Sequence, residues 1–507
     1  MQTPRGFLVL DFGSQVTMLI ARRLRELGFY SEIHSHSLPL DEIKKRNPYG
    51  IILSGGPNSV YETTSPRRSV KELIEVAPTL GICYGMQLMV QDLGGKVHRG
   101  ESREYGLATV NWSESLGGIP KQQKVWMSHG DVVDTPPPGF EIVARTSDHP
   151  AAIKGPRAMG VQFHPEVAHT EQGNEVLLAF ADLCKAPRDW DAPHMAELLM
   201  QRIREQVGPT DHVLCGLSGG VDSTVVATLL TRILGQERVH CVFVNNGLLR
   251  KNEFETVLKN YENIGLNIKG VDATQEFLSA LKGKTDPEEK RKTIGRVFIE
   301  VFDAAIDPKW PIKWLAQGTL YPDVIESVSS TGGSVTIKSH HNVGGLPEKM
   351  KMKLVEPVRE LFKDEVRKLG AELGLSHDLL WRHPFPGPGL AIRVLGEITE
   401  EKLEIMREAD HVFISALREA GLYDKIWQAF CVLLPIQSVG VQGDGRTYER
   451  VLALRAVTSS DGMTADWYPF EFNFLRDVSN RITNRVRGIN RVVYDVTSKP
   501  PGTIEWE

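Results

Sequence analysis

The chain has 507 residues, a net charge of −5 and a 41% hydrophobic fraction. These values suit three or four ordinary globular domains and argue against a general nucleic-acid binder. Its five cysteines, Cys83, Cys184, Cys215, Cys241 and Cys431, are odd in number, scattered and without metal-ligand spacing, no apolar run reaches membrane-spanning length, and no signal peptide opens the chain. The expectation is a cytoplasmic protein with no disulfide framework, no structural metal and no membrane segment.

In chain order, residues 7–12, 30–34 and 51–53 read as strands and residues 15–27 as a helix, the alternation of a mostly parallel sheet with ligands at the carboxyl ends of its strands. Residues 77–82 read as a buried strand and residues 84–93 as a helix, so Gly81-Ile82-Cys83-Tyr84-Gly85 is a strand-to-helix elbow that pushes a thiol into the open. The helix N-terminus favours the thiolate. Downstream, Pro165 biases His164 toward extended backbone, and period-two alternation puts His164 and Glu166 on one side. A base and its orienter would then face the elbow thiol, as in a Cys-His-Glu triad. Gly55-Gly56 ends the strand at 51–53; the N–H groups of Gly56 and Tyr84 are candidates for an oxyanion hole.

A polar stretch at 185–189 interrupts the pattern and marks a first boundary. A helix at 195–206 follows, then a strand at 212–217, a helix from 223 to 234 and a strand at 239–244. Between strand and helix lies Ser218-Gly219-Gly220-Val221-Asp222-Ser223. Two adjacent glycines let the backbone curl around an anion, the hydroxyls of Ser218 and Ser223 add donors, and the helix adds its positive end. Asp222 would repel a bare phosphate, which points to Mg²⁺ bridging it to the phosphates of ATP. The loop lacks the Walker lysine, so it reads as a site that cuts ATP between its α and β phosphates. The prolines of residues 382–388 preclude a helix and mark a further boundary; beyond it, 399–420 reads as helix and 432–441 and 492–496 as strands. The fold class is therefore α/β, with two consecutive mostly parallel domains, 1–188 and 189–381, and a smaller α+β domain, 382–507.

The elbow continued by Met86-Gln87, with Phe163-His164-Pro165-Glu166, resembles the class I glutamine amidotransferases; the 218–223 loop resembles that of the N-type ATP pyrophosphatases. In this order, followed by Arg382-His383-Pro384-Phe385-Pro386-Gly387-Pro388-Gly389-Leu390 and the tail Lys499-Pro500-Pro501-Gly502-Thr503-Ile504-Glu505-Trp506-Glu507, they resemble the glutamine-hydrolysing GMP synthase family over essentially the whole chain. The resemblance implies L-glutamine, ATP with Mg²⁺, and xanthosine 5'-monophosphate as partners, and a homodimer joined through the C-terminal domain. It gives Gln87 to glutamine, Val244 and Lys363 to ATP, and Arg291, Gly387, Gly389, Gln428, Arg491, Lys499, Ile504 and Glu505 to xanthosine monophosphate. Residues 286–292 look like the family's mobile segment; a solvated charge run is the other reading. His340 and His341 read as part of a lid-like loop rather than a metal site. One departure is Asn245, where the family's pattern has aspartate. Asparagine- and NAD-forming enzymes share both centres and differ in the acceptor; they fit the order and the tail less well. An RNA-modifying enzyme would want a basic face and an RNA-binding module, and neither is evident.

Overall fold

A computed structural model describes residues 4–113, 118–147, 149–324, 352–442, 445–459 and 464–507. They divide into two compact units, Met1–Met195 and Ala196–Glu507.

The first unit is built on a nine-stranded sheet. Five strands run parallel in the order Ser31–Ser35, Phe7–Asp11, Gly50–Leu53, Thr79–Ile82 and Ala158–Val161. The sheet then continues antiparallel through Pro150–Gly155, Glu141–Arg145, Lys96–Trp112 and Gln122–Thr135, a half that the sequence reading left undescribed. Leu8, Leu10, Ile51 and Leu53 pack on Met86 and Met89 of helix Tyr84–Asp92, so the apolar runs of the central strands are covered as parallel strands require. Gly55 and Cys83 both follow the carboxyl ends of such strands, where open α/β sheets place ligands.

The second unit contains two sheets. The larger is wholly parallel, in the order Ile268–Asp272, Val239–Asn245, His212–Leu217, Ile312–Ala316 and Lys353–Val355. Its strand order reverses beside His212–Leu217, so the loop at 218–223 leaves the sheet at the switch point. Cys215 and Cys241 are register partners across two of these strands and are core residues. The smaller sheet is a long hairpin, Gln428–Gln442 with Gly445–Thr458, extended by Asp466–Trp467 and by Ile489–Tyr494 parallel to the middle strand. Helices Glu400–Glu419 and Phe472–Arg485 pack with it; Thr399, whose hydroxyl accepts the Lys402 N–H, caps the first. One hydrophobic cluster runs from Leu214 and Val242 of the parallel sheet through Leu390, Met406 and Phe413 to Leu452 and Leu454 of the hairpin. Residues on both sides of the proline segment thus share one core, while that segment itself is non-helical up to the short 3-10 turn Gly389–Ile392.

Candidate active sites

Cys83 joins strand Thr79–Ile82 to helix Tyr84–Asp92 with φ 52° and ψ −109°. That conformation is strained for a residue with a side chain. It is held because the Cys83 N–H donates to Val161 O at 2.8 Å and the Cys83 carbonyl accepts from Met86 and Gln87 at 3.0 and 3.1 Å. Gly85 is required by close approach: a Cβ there would lie 2.4 Å from the Leu53 carbonyl oxygen.

Strand Ala158–Val161 ends before His164, which follows it outside any helix or strand, with Pro165 and Glu166 in the turn beyond. The two side chains nevertheless meet: His164 Nδ1 is 2.8 Å from Glu166 Oε1. The His164 N–H donates to Trp126 O at 3.0 Å and its carbonyl accepts from Thr170 Oγ1 at 2.6 Å, so the residue is clamped from both ends. Burial alone would lower the imidazole pKa, but the Glu166 carboxylate and the Cys83 sulfur outweigh it and push it up to about 11. Residue 55 touches both partners, since a Cβ there would lie 3.0 Å from His164 Cε1 and 3.7 Å from Cys83 Cβ. Gly56 tolerates no side chain, with Phe12 O only 2.7 Å from its Cβ position. The N–H of Tyr84 opens its helix, where the first four N–H groups have no intrahelical acceptor. Gln87 is buried, its amide donating to Asp131 O at 2.9 Å and Gln162 Oε1 at 3.4 Å. Ser128, whose carbonyl lies 3.5 Å from Cys83 Sγ, carries no local signal in the sequence because a distant strand supplies it.

In the second unit, helix Val221–Leu234 starts directly after Gly220. The N–H of Gly220 donates to Ser218 Oγ at 3.3 Å, Ser218 Oγ is 3.2 Å from Ser223 Oγ, and Ser223 Oγ accepts the Ser218 N–H at 3.3 Å. The loop's donors therefore converge. Asp222 is held by Lys363, whose Nζ donates to both carboxylate oxygens at 2.7 and 2.6 Å across 141 residues of sequence. Lys363 opens helix Lys363–Glu372, so a cation and a helix N-terminus stand beside the loop together. Asp222 is a hard oxygen donor inside an anion cradle, a donor set that fits Mg²⁺ shared with phosphate oxygens rather than an all-protein cage. Among the described residues no group of three or more His, Cys, Asp or Glu could hold a metal by itself. Val244 lies near the end of strand Val239–Asn245, and Asn245 Oδ1 accepts the Gly247 N–H at 3.0 Å, a turn-closing bond open to aspartate as well. Arg382 also reaches this loop, with Nη1 donating to Gly219 O at 2.9 Å and Nη2 to Glu253.

The tail folds back onto buried cations. Glu505 Oε1 accepts from Arg393 Nη2 and Gln428 Nε2, both at 2.8 Å, and Oε2 accepts from Arg393 Nε at 3.2 Å. Gln428 also donates to Pro384 O at 3.1 Å, which brings Gln428, Glu505 and the segment containing Gly387 and Gly389 together. Gly389 lies so close to the Leu248 carbonyl that a Cβ would stand 2.4 Å from its oxygen. Ile504 packs with Phe430 and Val432. Glu507 takes the Nζ of Lys290 at 2.6 Å, and Arg455 donates to Thr497 O and Thr503 O at 2.5 and 3.1 Å. Residues 286–292 open helix Pro287–Ala305, capped by Asp286, whose carboxylate accepts the Glu289 N–H; Asp286, Glu289 and Lys292 are exposed, as a solvated run would be, but Lys290 is fully buried. Arg291, next to it, lies 3.6 Å from Glu288 on the same helix. Arg491 is exposed on strand Ile489–Tyr494. Lys499 pairs its backbone with Ala465 at 2.7 and 3.1 Å, and with Thr458, Asp466 and Ser498 it borders an open surface hollow of about 510 Å³. His340 and His341 lie outside the described residues. Sequence reasoning missed Arg393 and Arg455, lone cations in apolar runs, and Lys290, one of several charges in its run, since neither setting announces a distant partner.

Three family models match in succession: glutamine amidotransferase class-I over residues 8–183, NAD synthase over 194–296, and GMP synthase C terminal domain over 415–506. The chain is 73% identical over 505 residues to the GMP synthase [glutamine-hydrolyzing] of Bdellovibrio bacteriovorus, covering 99% of this chain and 100% of the relative. It is 55% identical over 508 residues to the protein of that name from Porphyromonas gingivalis, covering 99% of both chains. For the one from Aquifex aeolicus the values are 54% over 511 residues and again 99% of both. Among the described residues no helix is long and apolar enough to cross a membrane.

Proposed function

Given that the chain belongs to the glutamine-hydrolysing GMP synthase family and is a glutamine-dependent ligase, we propose that it aminates C2 of xanthosine 5'-monophosphate. Glutamine, ATP and water are consumed, and GMP, glutamate, AMP and pyrophosphate are formed. The work divides among residues 1–188 for glutamine hydrolysis, 189–381 for ATP cleavage and 382–507 for nucleotide contact and pairing of two subunits in a cytoplasmic homodimer.

In the first step the Cys83 sulfur attacks the side-chain amide of glutamine. The tetrahedral oxyanion rests on the N–H groups of Gly56 and Tyr84, and Gln87 helps to order the substrate's pocket. With its pKa raised to about 11 by Glu166 and Cys83 against the effect of burial, His164 holds a proton at neutral pH and hands it to the departing ammonia. Glu166 keeps the ring oriented through the 2.8 Å contact. Water then cleaves the thioester, releasing glutamate and restoring the thiol.

In the second step the C2 oxygen of xanthosine monophosphate attacks the α-phosphorus of ATP and pyrophosphate leaves. Ser218, Gly219, Gly220, Val221 and Ser223 cradle the phosphates, Lys363 neutralises the leaving group and Val244 lies against the adenosine. A Mg²⁺ ion held by Asp222 and the phosphate oxygens supplies charge neutralisation when bound. Ammonia then displaces AMP from the activated carbon. Gly387, Gly389, Gln428, Ile504 and Glu505 contact the acceptor nucleotide, with Arg291, Arg491 and Lys499 supplying positive charge for its phosphate.

The observation that carries this reading is the 2.8 Å His164–Glu166 contact beside a cysteine at φ 52°, which a merely structural cysteine does not require. The test is the ATP-dependent absorbance change with xanthosine monophosphate against other acceptors, with glutamine and with ammonia. Turnover confined to this nucleotide and sustained by both nitrogen donors is expected; equal turnover of another acceptor would refute it.

A further inference from the structure

Arg382 opens the proline segment, far in sequence from the loop at 218–223, yet its guanidinium ties that loop to a second element. Nη1 donates to Gly219 O at 2.9 Å, and Nη2 donates to Glu253, a buried carboxylate whose Oε2 accepts the Arg250 N–H at 2.8 Å. Glu253 thereby fixes the guanidinium from behind, leaving its other edge for one carbonyl. In a trans peptide the C=O of one residue and the N–H of the next point in opposite directions. Holding the Gly219 carbonyl outward therefore turns the Gly220 N–H inward, and that N–H is found on Ser218 Oγ at 3.3 Å. Gly219 sits at φ +75°, a backbone state from which glycine relaxes readily in either direction. Without an external clamp the peptide between two glycines would be free to flip, replacing an anion-binding donor by a carbonyl that repels phosphate.

We propose that Arg382, braced by Glu253, is a positioning residue for the ATP phosphates, acting through the orientation of the Gly219–Gly220 peptide and not by touching the acceptor nucleotide. The inference rests on the reading of residues 218–223 as the ATP site. It also means that the segment carrying Gly387 and Gly389 is anchored at its start on the phosphate loop, so the ATP loop and the acceptor segment share one cation. Lysine in place of Arg382 keeps the charge but concentrates its donors on one nitrogen, losing the rigid fork that holds Gly219 O and Glu253 in fixed register.

The experiment uses the full-length chain with ammonia as nitrogen donor and follows pyrophosphate release. Arg382→Lys should raise the apparent KM for ATP about tenfold, in line with loss of a charge-assisted hydrogen bond. The KM for xanthosine monophosphate should stay within about twofold and the thermal midpoint close to that of the unchanged protein. Glu253→Gln, which keeps an acceptor but loses the charge, should give a smaller shift in the same parameter. If the two KM values rise together, or neither rises, the positioning role is overturned. Asp222→Asn runs in parallel: if it leaves pyrophosphate release intact, the ATP reading itself has failed; if it abolishes release while Arg382→Lys behaves as the unchanged protein, only the present proposal has.

Discussion

The Cys83 elbow and the 218–223 loop are both strand-to-helix turns at the carboxyl end of a parallel sheet, yet different forces hold them. The elbow is closed by neighbours: main-chain bonds from Val161, Met86 and Gln87, a buried His164–Glu166 pair, and glycines that let backbone pack against backbone. The loop is half-open and depends on charges from far along the chain, Lys363 on Asp222 and Arg382 on Gly219. On the proposed function, a neutral amide is met by a rigid, strained nucleophile, whereas a polyanion calls for the nearby cations that here hold Asp222 and Gly219.

Removing the nucleophile should give the largest separation between the two. Cys83→Ala is expected to cut glutamine-dependent turnover by about 10³-fold or more while turnover with ammonium salts stays near its starting value. Loss of both in a folded variant would mean that the sites are not independent.

On the other side, Asp222→Asn should lower pyrophosphate release about 10²-fold with either nitrogen donor, because one change removes both the proposed Mg²⁺ ligand and the partner of Lys363. Selective loss of the glutamine-driven reaction would contradict the division.

Deleting residues 504–507 strips the carboxylates from the fully buried Arg393 and Lys290. Leaving a buried charge unpaired costs about 3–5 kcal/mol, so the second unit should unfold earlier and the KM for xanthosine monophosphate should rise. Unfolding followed by circular dichroism, with a nucleotide titration, checks both; an unchanged midpoint and affinity would remove the tail from the site.

The smallest effect sharpens the contrast through two buried histidines. His164 is pushed up to about 11, burial being outweighed by Glu166 and Cys83, whereas burial drives His383 down to about 4. His383 must stay neutral: its Nε2 donates to Tyr423 O at 2.9 Å while its Nδ1 accepts the Ala429 N–H at 3.2 Å. For His164 the native state binds the extra proton, so its contribution is complete below the unfolded value near 6.5 and fades as pH rises toward about 11. For His383 the unfolded state binds it, so stability is lost as pH falls from about 6.5 to about 4, by about 3 kcal/mol at most. Thermal midpoints between pH 4 and 7 should therefore fall more steeply with acid in the unchanged protein than in His383→Gln; equal slopes would show that His383 does not titrate in this window.

Much of both centres was legible in the sequence because each is a local event. Strand, turn and helix follow within a dozen residues, and the glycines, the cysteine and the Ser-Asp-Ser spacing report geometry that only neighbouring backbone has to satisfy. The alternation of elements likewise determined the parallel sheets, since apolar runs separated by helical periods leave few other folds. Tertiary structure alone decided which charges face each other. Lys363 meets Asp222 across 141 residues, Arg393 meets Glu505 across 112, Arg382 meets Gly219 across 163 and Lys290 meets Glu507 across 217. Periodicity carries no information at those separations, because the energy of such a pair depends on burial and distance, which exist only once the chain has closed. For the same reason a run of charges at 286–292, solvated by any local reading, became a capped helix with one lysine in the core: the carboxylate that makes its burial tolerable is the last residue of the chain.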